Sequence, residues 1–171
     1  MTIVVDVANV MGSRPDGWWR DRAGAAVRLH AQIARLAASG RPILPPSGNR
    51  PPGDGPGLSG DDPGSSGDDP GAPEEDTPAF VLVLEGAARA AVSRLPSVRP
   101  ATDDAAGAPG PPQPGEVRVV EARGSGDDAI VAVVRELPGR RVVVTADREL
   151  RARCVAAGAE IFGPGWLLAL L

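Results

Sequence analysis

Acidic residues follow each of four apolar segments in this 171-residue chain, and carboxylates suit the binding of a metal ion. Asp6 closes the segment TIVVD, Glu85 follows FVLVL, and Asp147 follows RVVVTA. Asp127 and Asp128 come shortly after the segment VRVVE. If the four segments are parallel strands, these acids meet at the edge of the sheet where open α/β folds bind ligands. Hard divalent cations prefer carboxylate oxygens, so the pattern predicts a metal site at that edge.

Some of these polar residues also have a structural interpretation. An aspartate at the start of a helix caps free N–H groups and complements the helix dipole, which is the structural alternative for Asp147. Neighbouring helical residues point about 100° apart, so Asp127 and Asp128 cannot both face one point, and one of them is then only a cap. Ser125 or Asp127 can cap the helix that follows. Asn9, close behind the first acid, could hold a ligand or a water molecule without adding charge.

The side chains that the sequence lacks narrow the chemistry to carboxylates. The chain has no lysine, which excludes a Walker-type phosphate loop and Schiff-base chemistry. Its single cysteine, Cys154, excludes an intrachain disulfide, and with only one histidine, His30, a structural zinc site is not expected. Both residues lie among apolar neighbours on predicted helices, so we expect them to pack in the core.

Strand and helix patterns alternate along the chain, which predicts a three-layer α/β/α fold with a mostly parallel central sheet. The first strand is short and apolar, as expected of a strand buried on both faces, and residues 11–21 are predicted to form a loop. The further strands are predicted at 80–84, 117–121, 141–145 and 160–162. The helices are predicted at 19–39, 86–95, 127–137, from 148 to Gly158, and from Pro164 onwards.

Two segments rich in proline, glycine and aspartate interrupt this pattern. Residues 45–79 and 96–116 contain too few apolar side chains to offset the entropy of ordering, so we expect disordered insertions in a single domain that spans 1–171. The whole chain carries a net charge of −4, but the insertions hold many of its acids and the remaining core is weakly basic. A basic core around an acidic cluster suits a polyanionic ligand that is held through a metal ion.

Aromatic and basic residues are interleaved in the loop after the first strand. Arg14, Trp18, Trp19 and Arg20 could stack bases and hold phosphates, as proteins that bind single strands do. In the alternative interpretation, one or both tryptophans fasten the loop to the first long helix. Arg148, directly after the last acid of the cluster, is a further candidate for RNA binding.

Three short motifs resemble a known family. The D-x-x-N of residues 6–9, the DDAI of 127–130 and the TADREL of 145–150 are similar to the PIN-like nuclease superfamily, nearest its NYN domain branch. The resemblance implies a ribonuclease that depends on Mg²⁺ or Mn²⁺, with an α/β/α sheet and acids at one edge. Glu85 lies at the position after the second strand where some members of the family have an acid. In some other members, Asp128 matches the family pattern as well as Asp127 does. The catalytic and metal-binding residues carried over by position are Asp6, Asn9, Asp127 and Asp147.

The expected function is therefore a metal-dependent phosphodiesterase, a ribonuclease acting on single-stranded RNA. Two other functions stay open from the sequence: a nucleotide pyrophosphohydrolase with the same acidic site, and a non-catalytic module that binds RNA or protein. The N-terminal apolar run is short, is interrupted by Asp6 and has no basic region before it, so we expect no secretory signal or membrane span and a cytoplasmic location. The sequence leaves homo-oligomer formation open.

Overall fold

A parallel five-stranded sheet forms the centre of the protein. The computed structural model describes residues 1–41, 43, 77–95 and 110–171. The strands lie in the order β3-β2-β1-β4-β5, and every neighbouring pair is parallel. Their bounds are Thr2–Asp6 (β1), Ala79–Leu84 (β2), Val117–Glu121 (β3), Arg141–Val144 (β4) and Glu160–Phe162 (β5). All five strands lie within about one residue of their predicted positions.

The central position of β1 follows from its apolar side chains on both faces. Ile3 and Val5 belong to the hydrophobic cluster on one side of the sheet, and Val4 belongs to the cluster on the other side. β1 pairs with β2 along its whole length and with β4 from Thr2 to Val5. Such two-sided burial is typical of the inner strands of parallel sheets. The carboxylate that ends β1 therefore lies near the middle of the sheet edge.

Helices cover both faces of the sheet and complete three layers, as predicted. One layer contains α1 (Val7–Gly12), α2 (Arg22–Ala38), a 3-10 helix at Gly86–Arg94 and α5 (Pro164–Leu168). The other contains α3 (Gly126–Glu136) and α4 (Arg148–Ala156), which pack against each other. In α3, the apolar residues Ile130, Val131 and Val134 have helical spacing and are buried.

A short helix directly after β1 was not predicted. The structure places Met11 and Gly12 in α1, where the sequence indicated the start of a loop. Val7, Val10 and Met11 of this helix are buried at the spacing of one helix face. The prediction of a loop failed there because the first acid of the chain acts as the N-cap of α1, so the helix begins immediately after the strand.

The start of the long helix also differs from its prediction. α2 begins at Arg22 rather than at Trp19, because the side chain of Asp21 caps it by accepting a hydrogen bond from the Gly24 N–H at 2.8 Å. A separate 3-10 helix covers Trp18–Arg20. It begins after Gly17, whose φ of 75° is a left-handed conformation that glycine adopts without strain.

The predicted insertions fall mostly outside the described residues, which omit 42, 44–76 and 96–109. The described end of the second insertion packs on the domain: Pro112 is buried, and Gly115 donates a hydrogen bond from its N–H to the Pro78 carbonyl at 3.2 Å. In the part of the chain that the structure describes, no helix is long and apolar enough to cross a membrane.

Candidate functional site

The carboxylate of Asp6 lies at the carboxyl end of the central strand and is only 6% exposed. Its Oδ1 accepts a hydrogen bond from the Asn9 N–H at 3.0 Å, which caps α1. Its Oδ2 accepts one from the Asn9 amide Nδ2 at 2.9 Å and one from the buried Thr145 hydroxyl at 2.8 Å. Burial of a carboxylate is costly unless donors surround it, and these three donors orient the group at the sheet edge.

A hydrogen-bond network joins the end of β1 to the end of β4. Asn9 accepts a hydrogen bond at its Oδ1 from the Ala146 N–H at 3.3 Å, and Thr145 accepts one at its hydroxyl from the Asp147 N–H at 3.1 Å. The structure therefore brings the D-x-x-N and TADREL motifs together. Sequence reasoning missed the role of Thr145, and the available signal was a threonine between a valine run and an aspartate, since a buried hydroxyl needs a partner.

Asp147 is the N-cap of α4, as the structural interpretation predicted. Its Oδ1 accepts a hydrogen bond from the Leu150 N–H at 2.8 Å. Its Oδ2 accepts no hydrogen bond from any residue that the structure describes. One oxygen of Asp147 therefore stabilises the helix, and the other can serve a ligand.

Glu85 reaches across from the end of β2 to the start of α3. Its Oε2 accepts a hydrogen bond from the Gly126 N–H at 2.9 Å. A Cβ atom at position 126 would collide with the Glu85 carboxylate, so this contact requires a glycine. Sequence reasoning missed this role of Gly126, because the close approach depends on the packing of β2 beside β3.

The two adjacent aspartates of α3 have different surroundings. Asp127 is half-buried and faces the other acids. Burial first, and then the negative charges of Asp147, Asp6 and Glu85, raise the pKa of the Asp127 carboxyl above its ordinary value, and Arg153 partly opposes this.

Asp128 faces away from this group and is exposed, as the angle between neighbouring helical residues required. It forms an ion pair with Arg153 of α4. Ser125 is the N-cap residue of α3, but its side chain makes no capping hydrogen bond. Neither of the two predicted cap residues, Ser125 and Asp127, therefore caps α3 with a side-chain hydrogen bond in the described structure. Asp127 lies close to the other acids without this structural role.

We define the acidic edge as Asp6, Glu85, Asp127 and Asp147. Within residues 1–41, 43, 77–95 and 110–171, no group of three or more His, Cys, Asp or Glu side chains already has the arrangement of a metal site. The chemistry of the donors nevertheless fits a hard divalent cation, because these are carboxylates and each keeps an oxygen lone pair that no described donor uses. Side-chain movements would have to bring them into one ligand shell.

The residues predicted to bind RNA are not equally available. Arg14 donates a hydrogen bond to the Gln32 side chain at 2.8 Å, and Trp18 packs against the core with the Arg22 guanidinium 5.4 Å from its ring centroid. Trp18 thus fastens the loop to α2, as the alternative interpretation expected. Trp19, in contrast, is 56% exposed and contacts the Trp18 ring edge to face.

Two of the predicted RNA-binding arginines are exposed. Arg20 and Arg148 make no side-chain hydrogen bond or ion pair with any residue that the structure describes. Arg148 follows Asp147 directly, so it lies at the end of the sheet that carries the acidic edge.

The only histidine and the only cysteine of the sequence are core residues, as expected. His30 is 7% exposed on α2, and burial lowers its pKa. Cys154 is completely buried on α4, and burial raises the pKa of its thiol to about 11. Both groups are neutral and inaccessible at neutral pH, which leaves the carboxylates as the candidates for chemistry.

Comparison of the chain with protein-family models, with curated proteins and with solved structures finds no match. The resemblance to NYN nucleases therefore stays a prediction from the three motifs. The fold and the acidic edge are what the structure itself adds to that prediction.

Proposed function

We propose that this protein is a divalent-metal-dependent phosphodiesterase that cleaves RNA, with Mg²⁺ or Mn²⁺ as its cofactor. The observation that carries the proposal is the buried carboxylate of Asp6, oriented by Asn9 and Thr145 at the end of the central strand with three more acids at the same edge. The three motifs that resemble NYN nucleases contribute to this edge. Their resemblance supports the same reaction.

Structural roles explain most of these acids but not Asp127. Asp6 and Asp147 are N-caps, and Glu85 binds the backbone of α3. Asp127 accepts no hydrogen bond from the described residues, although it is half-buried among three other negative charges. Like charges in such an arrangement repel one another, and a cation among them relieves the repulsion. The placement of Asp127 therefore favours a cation site.

Each residue of the acidic edge has a defined task in the proposed reaction. Asp6, Asp127 and Asp147 hold the cation with the oxygens that they keep, and Glu85 adds a fourth carboxylate. Asn9 and Thr145 fix the Asp6 carboxylate by donating to it at 2.9 and 2.8 Å. The chemistry that the bound cation supplies is the acidification of a water molecule and the neutralisation of charge on the scissile phosphate.

The substrate is proposed from exposed cations and an exposed aromatic ring. Arg148 is exposed directly beside Asp147, and Trp19 and Arg20 are exposed on the short 3-10 helix before α2. Arginines neutralise phosphates and aromatic rings stack on unpaired bases, so single-stranded RNA suits these groups. We propose that Arg148 and Arg20 bind phosphates of the RNA and that Trp19 stacks on a base.

The proposal is tested by incubating the full chain with single-stranded RNA and, separately, with nucleoside triphosphates, in Mg²⁺, in Mn²⁺ and in chelator. We expect metal-dependent cleavage of RNA that Asp6→Asn and Asp127→Asn abolish. Glu149→Gln removes an exposed acid outside the acidic edge and should keep the activity. Consumption of triphosphates alone would identify a pyrophosphohydrolase instead. RNA binding without turnover under every condition would identify a non-catalytic module.

A further inference from the structure

An open groove runs between the edge strand β3 and helix α3. α3 packs over β1 and β2, and no helix in the described part of the chain covers this face of β3. Val81 and Val120 of the sheet, together with Ala129, Ala132 and Val133 of α3, line the groove. Its volume is about 700 Å³. A groove of this size with an apolar lining is typical of a small-molecule or nucleotide site.

The groove begins next to the acidic edge. Gly124 and Ser125, which connect β3 to α3, line its end at the carboxyl side of the sheet. The next residue, Gly126, donates the hydrogen bond to Glu85, and Asp127 follows it in the acidic edge. A ligand in the groove would therefore extend directly to the proposed cleavage site.

The polar residues around the groove have mixed charge. Arg118 and Arg123 are the cations of the lining, and Asp128 and Glu136 are the acids that α3 contributes to it. Arg118 is held in place because it donates to the Glu116 carboxylate at 3.2 Å and to the Gly110 carbonyl at 2.9 Å. A bare phosphate backbone would meet repulsion from the acids. A nucleobase, with apolar faces and a polar edge that both donates and accepts, fits this lining better.

We infer that the groove is a nucleobase subsite, which takes the base and ribose of a nucleotide whose phosphate lies at the acidic edge. The inference rests on the proposed function for the position of that phosphate. Val120 and Ala132 contact the faces of the base, and the charged rim binds its polar edge and the ribose hydroxyls. The nucleotide can belong to an RNA strand or be free in solution, and the experiment separates these sources.

The test measures binding in chelator, so that it does not depend on cleavage. Fluorescence anisotropy compares a short single-stranded oligoribonucleotide with the same strand carrying one abasic position. Ala132→Phe fills the groove from an exposed position of α3, and Ala132→Leu fills it less. Ala31→Phe is the matched control, because Ala31 is an exposed alanine of α2 in the opposite layer. Thermal melts verify that all three variants are folded.

We expect Ala132→Phe to weaken binding of the intact strand by about fivefold or more, with a smaller loss for Ala132→Leu and none for Ala31→Phe. The wild type should bind the abasic strand more weakly than the intact strand, and Ala132→Phe should remove that difference. Competition by a nucleoside monophosphate as effective as that by the strand would identify a free nucleotide as the ligand. Competition only by the strand would identify RNA.

Two results would overturn the inference: equal binding by Ala132→Phe and the wild type, or an equal loss for the intact and the abasic strand. Failure of the proposed function is distinguishable from this failure. If the groove binds the base in chelator but no RNA is cleaved with either metal, the subsite stands and the nuclease assignment falls. If RNA is cleaved but the groove variants bind normally, the nuclease assignment stands and the nucleobase subsite falls.

Discussion

Replacement of Gly126 by alanine should displace one carboxylate of the acidic edge without unfolding the protein. Gly126 opens α3, is buried, and does not have the positive φ that would itself demand glycine. The atoms nearest to a Cβ built at this position belong to the Glu85 side chain, whose carboxylate accepts the Gly126 N–H at 2.9 Å and would overlap that Cβ. A carboxylate is the far end of a flexible side chain, so Glu85 should rotate away while the backbone stays.

The expected change in stability is small because two contributions oppose each other. A hydrogen bond to a charged group contributes about 1.5–3 kcal/mol, and partial exposure places the Glu85 bond near the lower end of that range. Alanine is favoured over glycine by up to about 1 kcal/mol in a helix, and by less in its first turn. The free energy of unfolding should therefore fall by about 1 kcal/mol, which lowers the melting temperature by about 4 °C.

The assay is thermal unfolding in chelator and in Mn²⁺, with Glu85→Gln as the companion variant. Glu85→Gln keeps an oxygen that can accept the Gly126 N–H but removes the negative charge. If Glu85 is a ligand, both variants should lose part of the stabilisation that Mn²⁺ gives the wild type. An undiminished response to Mn²⁺ in both variants would refute the role of Glu85. A loss above about 3 kcal/mol in Gly126→Ala would show that the start of α3 moves instead.

Three further predictions follow from buried groups. Thr145→Val removes the hydroxyl that donates to Asp6 at 2.8 Å and should lower the free energy of unfolding by about 2 kcal/mol in urea, whereas Thr145→Ser should cost less. Folding raises the pKa of Asp127, so its charged form destabilises the fold at higher pH, whereas its protonated form at acidic pH does not. In chelator, the gain in the free energy of unfolding of Asp127→Asn over the wild type should therefore grow as the pH rises through the carboxylate range. A difference that stays constant with pH would contradict this. Cys154, completely buried with a pKa of about 11, should resist alkylation at neutral pH until urea unfolds the chain.

The fold was predictable because its signals are local. Short valine-rich runs are typical of strands in a parallel sheet, and the helices between them indicate that neighbouring strands run in the same direction. α1 was missed because six residues are too few to show a clear helical period, and because Asp6 was assigned only to the site and not also to a cap. Strand type was therefore easier to predict than the point at which each helix starts.

The contacts of the site were less predictable because they join distant parts of the chain. The hydroxyl of Thr145 donates to Asp6 over 139 residues, and Gly126 donates to Glu85 over 41 residues. The topology predicts that these strand ends meet, but the choice of donor depends on the packing of individual side chains. The exposure of the two tryptophans could not be predicted either. The 3-10 helix at 18–20 determines that Trp18 packs against the core and that Trp19 is 56% exposed.

The two roles of Asp147, as a helix cap and as a metal ligand, can be tested separately because each of its oxygens has a separate task. Asparagine caps helices about as well as aspartate, so Asp147→Asn should keep the Leu150 contact and lose at most about 1 kcal/mol, from the helix dipole. Asp147→Ala should lose the cap as well, at a cost of about 1 kcal/mol. Asp21, which caps α2 and is not a member of the acidic edge, provides the matched control with the same two substitutions.

If Asp147 is a ligand, Asp147→Asn should lose RNA cleavage and the stabilisation by Mn²⁺ while its stability in chelator stays close to that of the wild type. Asp21→Asn and Asp21→Ala should change stability by similar amounts and leave both metal-dependent properties intact. Full cleavage by Asp147→Asn, together with a loss of stability in Asp147→Ala that equals the loss in Asp21→Ala, would show that Asp147 is only a cap. The acidic edge would then have three acids, and its cation would have to be held by Asp6, Asp127 and Glu85.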